Sequence, residues 1–373
     1  MFTAQDHVYM ARALQLATQG LYSTSPNPRV GCVIVKNGSV IGEGAHLKAG
    51  EPHAEVFALQ QASTQAKGAT VYVTLEPCSH TGRTPPCAHA LVQAGVAKLV
   101  VAMQDPNPLV AGQGTAHLQA NGIAVEVGLM QAEAAELNAG FISRMTRNLP
   151  FVRSKIACSL DGKTALNNGE SQWITGEPAR RDVQRWRAQS CAMLTGIGTV
   201  LGDNPRLNVR DIAVSSQPLR VIVDSQLQIS PDAVILQSGN ALVAYAIDAQ
   251  DKNGHLKTVK LAENGVKLIQ LPDAHGKVCL KSLLSHLAHR QINNVMVEGG
   301  AGINGALIAQ RLIDELLIYQ APIVLGDKAK GMFDLAELSS MQQKIQLKIL
   351  ESRQFGIDTR LRASIRYADQ YAD

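Results

Sequence analysis

Apolar residues recur at helical spacing over residues 5–19, which predicts an amphipathic helix early in the chain. The stretch VGCVIVKNGSVIGEG changes period. Two apolar runs flank Asn37-Gly38, the dipeptide suited to a two-residue type I′ hairpin turn. Pro52 stands where a helix can begin, and HAEVFALQQAS continues it. ATVYVTLEPC reads as a strand running into a turn, and CAHALVQAG as a helix after Pro85-Pro86. KLVVAMQDPNP reads as a strand, and IAVEVGL as another after a short helical stretch. QAEAAELNAGFISRMTRN reads as one closing helix that Asn148-Leu149-Pro150 ends. Strands and helices in this alternation predict a three-layer α/β unit around a mostly parallel sheet.

The pattern restarts after Pro150. FVRSKIACSLDG reads as a strand, DVQRWRAQ as a helix and CAMLTGIG as a strand. LRVIVDS, ALVAYAI, VKLIQL, NVMVEGG and ELLIYQAPIVLG complete a strand-rich α/β set, while the closing SIRYADQYAD carries little signal. A length of 373 residues fits two domains at about 150 residues each, here 1–148 and 149–366. With 46% apolar and 18% charged residues, both are expected to be globular. The net charge of +4 is too small to point to nucleic acid or a membrane surface, and it suits a small anionic phosphate ligand. Six sparse cysteines predict a reducing cytoplasm rather than a disulfide framework. The first residues lack the basic-then-apolar layout of a signal peptide, and no apolar run reaches membrane-spanning length. Assembly into a homo-oligomer is left open.

Candidate chemistry concentrates at three places in the first half. His53-Ala54-Glu55 opens a helix, Pro77-Cys78 ends a strand, and Cys87 begins the next helix. One imidazole and two thiolates leave a fourth zinc position open for water, the arrangement of a catalytic rather than a structural site. Zinc lowers the pKa of such a water. Glu55, two residues from His53, can border the metal without binding it and carry protons between water and substrate. This is the H-x-E and P-C signature of zinc deaminases. Its usual second half is P-C-x-x-C, whereas SHTGRTPP separates the cysteines here. A closed structural zinc site with His80 as fourth ligand is the alternative, but it gives Glu55 no task.

The second half is less specific on its own. In NVMVEGGAGINGALIAQ a strand, a glycine-rich turn and a helix follow one another, and Gly300, Gly302 and Gly305 satisfy G-x-G-x-x-G. Backbone amides at such a turn can face a phosphate. A plain tight turn explains the glycines equally well. No acidic residue ends a following strand about 20 residues on, so a doubly wound dinucleotide fold is not indicated.

TLEPCSHTGRTPPC, with NPRVGCVIV and GEPHAEV before it and MQDPNP after it, closely resembles the bifunctional deaminase/reductases of riboflavin biosynthesis. The long loop between the cysteines is that family's own form. KIACSLDGKTA, GESQWIT, RAQSCAMLTGIGTVLGDNPRLNVR, RVIVDS and VEGGAGING extend the resemblance over nearly the whole chain. It implies an α/β protein with an N-terminal three-layer cytidine-deaminase-like domain and a C-terminal dihydrofolate-reductase-like domain. It implies hydrolytic deamination of 2,5-diamino-6-(5-phosphoribosylamino)pyrimidin-4-one, then NADPH-dependent reduction of the ribosyl chain to ribityl. One zinc ion per chain would sit on His53, Cys78 and Cys87, with Glu55 as proton shuttle.

Asn27, His46, Asp105 and Asn107 lie in family-like segments and are candidates for the deaminase pocket, with turn or capping roles as the alternative. By the same resemblance Ala157, Trp173, Thr199, Asp203, Ser225 and the run Gly300, Ala301, Gly302, Ile303, Asn304, Gly305 and Ala306 would contact NADPH. Ser171, Arg187, Leu207, Arg210 and Glu298 would contact the phosphoribosyl substrate. Arg187 and Arg210 suit phosphate clamps, since a guanidinium pairs two oxygens at once. Glu298 could orient sugar hydroxyls, and Lys155 could donate a proton to the sugar oxygen. For Trp173, core packing is the competing role. A nucleic-acid editing zinc deaminase with an appended binding domain is the rival function. It calls for a basic, aromatic-bearing surface, against 4% aromatic residues and a nearly balanced charge here.

Overall fold

Thr3 starts the first helix, α1 (Ala4–Ala17), through a capping box: its Oγ1 accepts the Asp6 N–H, and the Asp6 carboxylate accepts the Thr3 N–H at 2.8 Å. The computed structural model describes residues 1–79, 86–108, 110–237, 239–248 and 252–367, and two units, Met1–Leu149 and Pro150–Asp373, divide the chain.

In the first unit β1 (Gly31–Lys36) and β2 (Ser39–Ala45) form the expected hairpin, with φ of 53° at Asn37 and 76° at Gly38, the type I′ signature. Then come α2 (Ala54–Ala62), β3 (Thr70–Val73), α3 (Cys87–Ala94), β4 (Lys98–Val101), α4 (Gln113–Ala120), β5 (Ala124–Val127), α5 (Gln131–Leu137) and α6 (Ala139–Arg147). The sheet order is β2-β1-β3-β4-β5. The sheet is mixed rather than mostly parallel. β1 runs antiparallel to both β2 and β3, and β3, β4 and β5 are mutually parallel. The tight turn at Asn37-Gly38 forces the first reversal. The expected single closing helix is two helices broken at Asn138. Its buried amide accepts the Arg29 N–H at 2.8 Å and donates to the Arg29 carbonyl at 2.9 Å, bonding it to the segment before β1.

Glycines set how closely the helices lie. A Cβ at Gly42 would fall 2.2 Å from the Ala58 carbonyl oxygen, and one at Gly44 2.1 Å from that of Ala54. The face of α2 turned to the sheet is Ala54, Ala58 and Ala62, all fully buried. Helix and strand therefore meet backbone to backbone, which brings the start of α2 to the sheet.

The second unit comprises β6 (Phe151–Cys158), β7 (Lys163–Ala165), α7 (Glu177–Gln189), β8 (Ala192–Gly196), α8 (Ile197–Asp203), β9 (Leu219–Val223) and β10 (Ala241–Tyr245). It continues with α9 (Lys252–Glu263), β11 (Lys267–Gln270), α10 (Leu280–His289), β12 (Asn294–Val297), α11 (Ala301–Ala309), β13 (Glu315–Gln320), β14 (Lys330–Gly331), β15 (Gln346–Phe355) and β16 (Asp358–Arg366). The large sheet has the order β11-β10-β9-β8-β12-β6-β13-β16-β15. Its strands are parallel from β11 to β13, and β16 and β15 are added antiparallel. That final hairpin was not among the strands expected from the sequence. β15 is exposed at nearly every position, so it lacks the alternation that marks a half-buried strand.

α7 is held on the sheet by a buried charge cluster. Asp182 accepts hydrogen bonds from Tyr319 Oη at 2.6 Å, Arg360 Nη1 at 2.5 Å and Trp186 Nε1 at 3.3 Å. The Trp186 ring faces Arg153 at 4.4 Å and Arg360 at 5.3 Å. Among the expected phosphate-turn glycines, Gly305 has a packing task. A Cβ there would lie 1.9 Å from the Asp334 carbonyl oxygen, whereas Gly300 and Gly302 border open space. Gly305→Ala is therefore expected to destabilise the second unit by about 1–3 kcal/mol, the usual cost of overpacking. Thermal unfolding followed by calorimetry checks this, and an unchanged profile would contradict so close an approach.

Candidate functional site

In the first unit, three side chains from three elements converge. His53 is the N-cap of α2, yet its ring makes no cap bond. Nδ1 instead faces Cys78 Sγ at 3.6 Å and Cys87 Sγ at 3.3 Å. Cys78 lies on the turn after β3, and Cys87 is the first residue of α3, where its N–H points at Cys78 Sγ from 3.4 Å. The three donor atoms all lie within 4.8 Å of one another, and no other such metal-ligand cluster occurs among the described residues. A tetrahedral zinc ion with bonds of about 2.0 Å to nitrogen and 2.3 Å to sulfur holds an N and an S ligand roughly 3.6 Å apart. The donor set therefore fits zinc in both chemistry and spacing. His80, the alternative fourth ligand, lies outside the described residues, as does Pro85.

Glu55 follows in the first turn of α2 and is buried. Burial pushes its carboxyl up, against the pull of His53. The Cys78 thiol is pulled down, first by its hydrogen bond with Cys87, with His53 adding to the effect and burial opposing it. His46 is buried beside His53, edge to face at 5.2 Å between ring centres. Its Nδ1 lies 3.1 Å from the Pro52 carbonyl, which requires a donor there. That leaves Nε2 to accept from Asn27 Nδ2 at 3.0 Å. Burial lowers the His46 pKa, which favours this neutral form. Asp105 and Asn107 lie beyond β4 in an Asx turn, with Asp105 Oδ1 accepting the Asn107 N–H at 2.8 Å.

In the second unit Thr199 and Asp203 follow β8, Ser225 follows β9, and Glu298 and the Gly300–Ala306 run follow β12, all past the C-terminal ends of parallel strands, where open α/β sheets take their ligands. Lys155 and Ala157 share one face of β6, and Glu298 follows β12. Arg187, on α7, donates from Nε and Nη2 to the two oxygens of Glu298 at 2.6 and 2.9 Å, and from Nη1 to the Asn208 carbonyl at 3.1 Å. Lys155 Nζ stands 3.9 Å from Glu298 Oε2. Burial acts to raise the Glu298 carboxyl, but Arg187 and Lys155 overcome it and hold it at about 2. Burial lowers the Lys155 ammonium, against the pull of Glu298. Arg187 thus turns its paired donors on Glu298, while Arg210 is exposed and bonded through its backbone N–H to Gln184 Oε1 at 2.9 Å.

Thr199, half-buried, and Asp203, exposed, lie on α8 directly after β8. Ser225 follows β9, and its Oγ accepts the Val278 N–H at 3.1 Å. Leu207 is buried with a φ of 45°, a conformation uncommon outside glycine. Ser171 lies on the loop before α7. Trp173, on the same loop, is 70% exposed with the Arg180 guanidinium 4.5 Å above its ring, which overturns the core-packing alternative. Gly300 is the N-cap of α11 with no side chain capping the helix, and Ala301, Gly302 and Ile303 form its first turn. That end of the helix leaves its first backbone N–H groups available to an anion. Asn304 is buried and ties the turn down, accepting from Ser154 Oγ at 2.8 Å and donating to the Gly299 carbonyl at 3.1 Å. Ala306 lies on the same helix. Sequence reasoning overlooked the Asp182–Arg360 cluster and Glu76. The first joins residues far apart in the chain, and the second was visible two residues before Cys78 but read as part of a strand.

Comparison with known proteins agrees with both halves. Residues 3–103 match the cytidine and deoxycytidylate deaminase zinc-binding region, and residues 150–361 match the RibD C-terminal domain. The chain is 47% identical to the riboflavin biosynthesis protein RibD of Escherichia coli over 95% of this chain and 98% of that one. It is 46% identical to that of Haemophilus influenzae, over 96% and 97%. A solved structure of Acinetobacter baumannii RibD superposes with a TM-score of 0.89 at 48% identity, covering 97% of this chain and 99% of that one. The Thermotoga maritima diaminohydroxyphosphoribosylaminopyrimidine deaminase/5-amino-6-(5-phosphoribosylamino)uracil reductase superposes at 0.84 with 32% identity, covering 96% and 98%. The chain belongs to the RibD family of riboflavin biosynthesis proteins.

Proposed function

We propose that this chain carries two successive steps of riboflavin biosynthesis. Residues 1–148 would deaminate 2,5-diamino-6-(5-phosphoribosylamino)pyrimidin-4-one, and residues 149–366 would reduce the ribosyl chain of the product, giving 5-amino-6-(5-phosphoribitylamino)uracil. The observation that carries the reading is a His–Cys–Cys cluster with a buried carboxylate beside it, in one chain with a half-buried lysine and glutamate and a buried arginine that meet just past the C-terminal end of a parallel strand.

His53, Cys78 and Cys87 would hold one zinc ion per chain. When bound, the zinc acidifies a water for attack on the ring carbon that bears the amine. Glu55 moves the protons: buried, with its carboxyl pushed up, it can take one from the attacking water and pass it to the ring nitrogen, then take the hydroxyl proton of the adduct and pass it to the amine, which leaves as ammonia while the carbonyl forms. Asn27, His46, Asp105 and Asn107 line the pocket in this reading. Asn27 is oriented by the His46 nitrogen that accepts from it.

The start of α11, Ala157 on β6, Trp173 on its loop, Thr199 and Asp203 on α8 and Ser225 after β9 would hold NADPH, which would supply hydride for C1′ of the ribose. Glu298, kept ionised by Arg187, orients the sugar hydroxyls. Lys155, its pKa lowered by burial, delivers a proton to the sugar oxygen. Arg210 receives the phosphate, and Ser171 and Leu207 border it. The small net charge fits a phosphorylated small molecule. No described helix is long and apolar enough to cross a membrane, and a cytoplasmic setting accords with the sparse cysteines.

Coupled turnover with zinc and NADPH, following ammonia release and cofactor oxidation together, tests the whole reading. Glu55→Gln should retain zinc and lose deamination by at least about a hundredfold while reduction of supplied intermediate continues. Loss of both activities with the fold intact would contradict separate sites. Lys155→Ala should slow hydride transfer at saturating substrate, and an unchanged rate removes its proton role.

The Arg187–Glu298 pair also predicts a pH signature. Glu298 is held at about 2 against an ordinary 4.5, so its pairing stabilises the fold fully above pH 4.5 and fades as the pH falls toward 2. Arg187→Met leaves the buried carboxylate poorly paired and should cost about 3–5 kcal/mol at neutral pH. Denaturant titrations should show that deficit shrinking below pH 4. A deficit independent of pH would mean the pair is not what stabilises Glu298.

A further inference from the structure

Glu76 is a buried carboxylate for which the proposed chemistry has no use. It stands just past β3, two residues before Cys78, and is 5% exposed. Three backbone amides answer it. Oε2 accepts the N–H of Asp105 at 3.1 Å and that of Gly112 at 3.0 Å, and Oε1 accepts the N–H of Thr115 at 3.1 Å. All three belong to the segment that leaves β4 and turns into α4. The Glu76 N–H donates in turn to the Met103 carbonyl at 3.0 Å.

The grip has a second half. A Cβ at Gly114 would lie 2.0 Å from the Pro77 carbonyl oxygen, so α4 begins directly against the residue next to Cys78. The same short stretch, Glu76-Pro77-Cys78, therefore offers one side chain to the metal cluster and another to the 105–115 segment. Asp105 is held through its backbone N–H, which leaves its own carboxylate to fix Asn107. Charge-assisted bonds from one carboxylate to several amides are the strong kind. An uncharged amide cannot replace them, because its NH2 group would oppose an N–H donor.

We propose that Glu76 is a positioning residue of the deaminase. It sets the backbone at Asp105, Gly112 and Thr115 at a fixed distance from the Cys78 turn, so that Asp105 and Asn107 meet the phosphoribosylated pyrimidine in one geometry. The inference rests on the reading of Asp105 and Asn107 as pocket residues given above.

The test uses the full chain loaded with zinc. Glu76→Gln should raise the deaminase KM about tenfold or more, the loss of one strong hydrogen bond. Its kcat should stay within about threefold of wild type, with zinc content and reductase kinetics unchanged. Asp105→Ala should raise KM by itself, and the double variant should fall well short of the product of the two single effects, because part of what Glu76 positions is Asp105. An unchanged KM in Glu76→Gln beside a raised KM in Asp105→Ala would overturn the positioning role. So would effects that multiply in full. Silence of both Asp105→Ala and Asn107→Ala would remove the pocket assignment itself, and this inference with it. Should Glu76→Gln not fold, hydrogen exchange of the wild-type chain decides. The amides of Asp105, Gly112 and Thr115 should exchange at least about tenfold more slowly than their loop neighbours, and exchange at the neighbours' rate would overturn the proposal.

Discussion

The imidazole of His53 reaches two thiols because the helix it begins lies closer to its strand than any side chain permits. Gly42 and Gly44 of β2 face the alanine surface of α2 with nothing between the backbones, and Gly31 of β1 meets α1 in the same way, where a Cβ would fall 1.9 Å from the Ala13 carbonyl oxygen. The second unit repeats the device at Gly305, which meets the backbone of Asp334. Interiors are packed as densely as crystals, so a helix seated this closely has little freedom to shift. The N-cap of α2, His53, is consequently delivered to a fixed point beside the sheet, and the turn after β3 and the start of α3 bring the two sulfurs to meet it.

Charge does the corresponding work in the reductase unit. Glu298 lies among Arg187 and Lys155, and Asp182 among Arg360, Tyr319 and Trp186, all on or facing α7. Buried pairs of this kind recover their desolvation cost only when the geometry is good, so they add little net stability and tolerate few alternative arrangements. The two clusters share a helix. Asp182 and Trp186 anchor α7 to β13 and β16, and the neighbouring Arg187 is thereby aimed at the carboxylate after β12. The side chain that orients Glu298 is itself oriented by the core.

How much of this was legible in the sequence depended on how local each feature is. The donors His53, Cys78 and Cys87 fall in one stretch with a distinctive order, and Asn37-Gly38 is a turn signal complete in two residues, so both could be read directly. Lys155, Arg187 and Glu298 are distant in sequence and meet through strand register, so residue types alone said little about them until a family resemblance was added. Asn138 sits inside an unbroken helical pattern, and its bonds to Arg29 are invisible to periodicity. The mixed sheet was misjudged because apolar runs do not carry strand direction. Trp173 was ambiguous because an indole suits either a core or a ligand surface. The hairpin of β15 and β16 was overlooked because its outer strand lacks a buried face.

Each unit also owns its hydrophobic core: one cluster runs from Tyr9 to Ala134, and another from Ala179 to Tyr319. Among the described residues, each of these two clusters draws on one unit alone. A single melting temperature is therefore not a well-defined stability for this chain. Calorimetric and van't Hoff enthalpies need not coincide, and a ligand taken up by one unit should shift the transition of that unit.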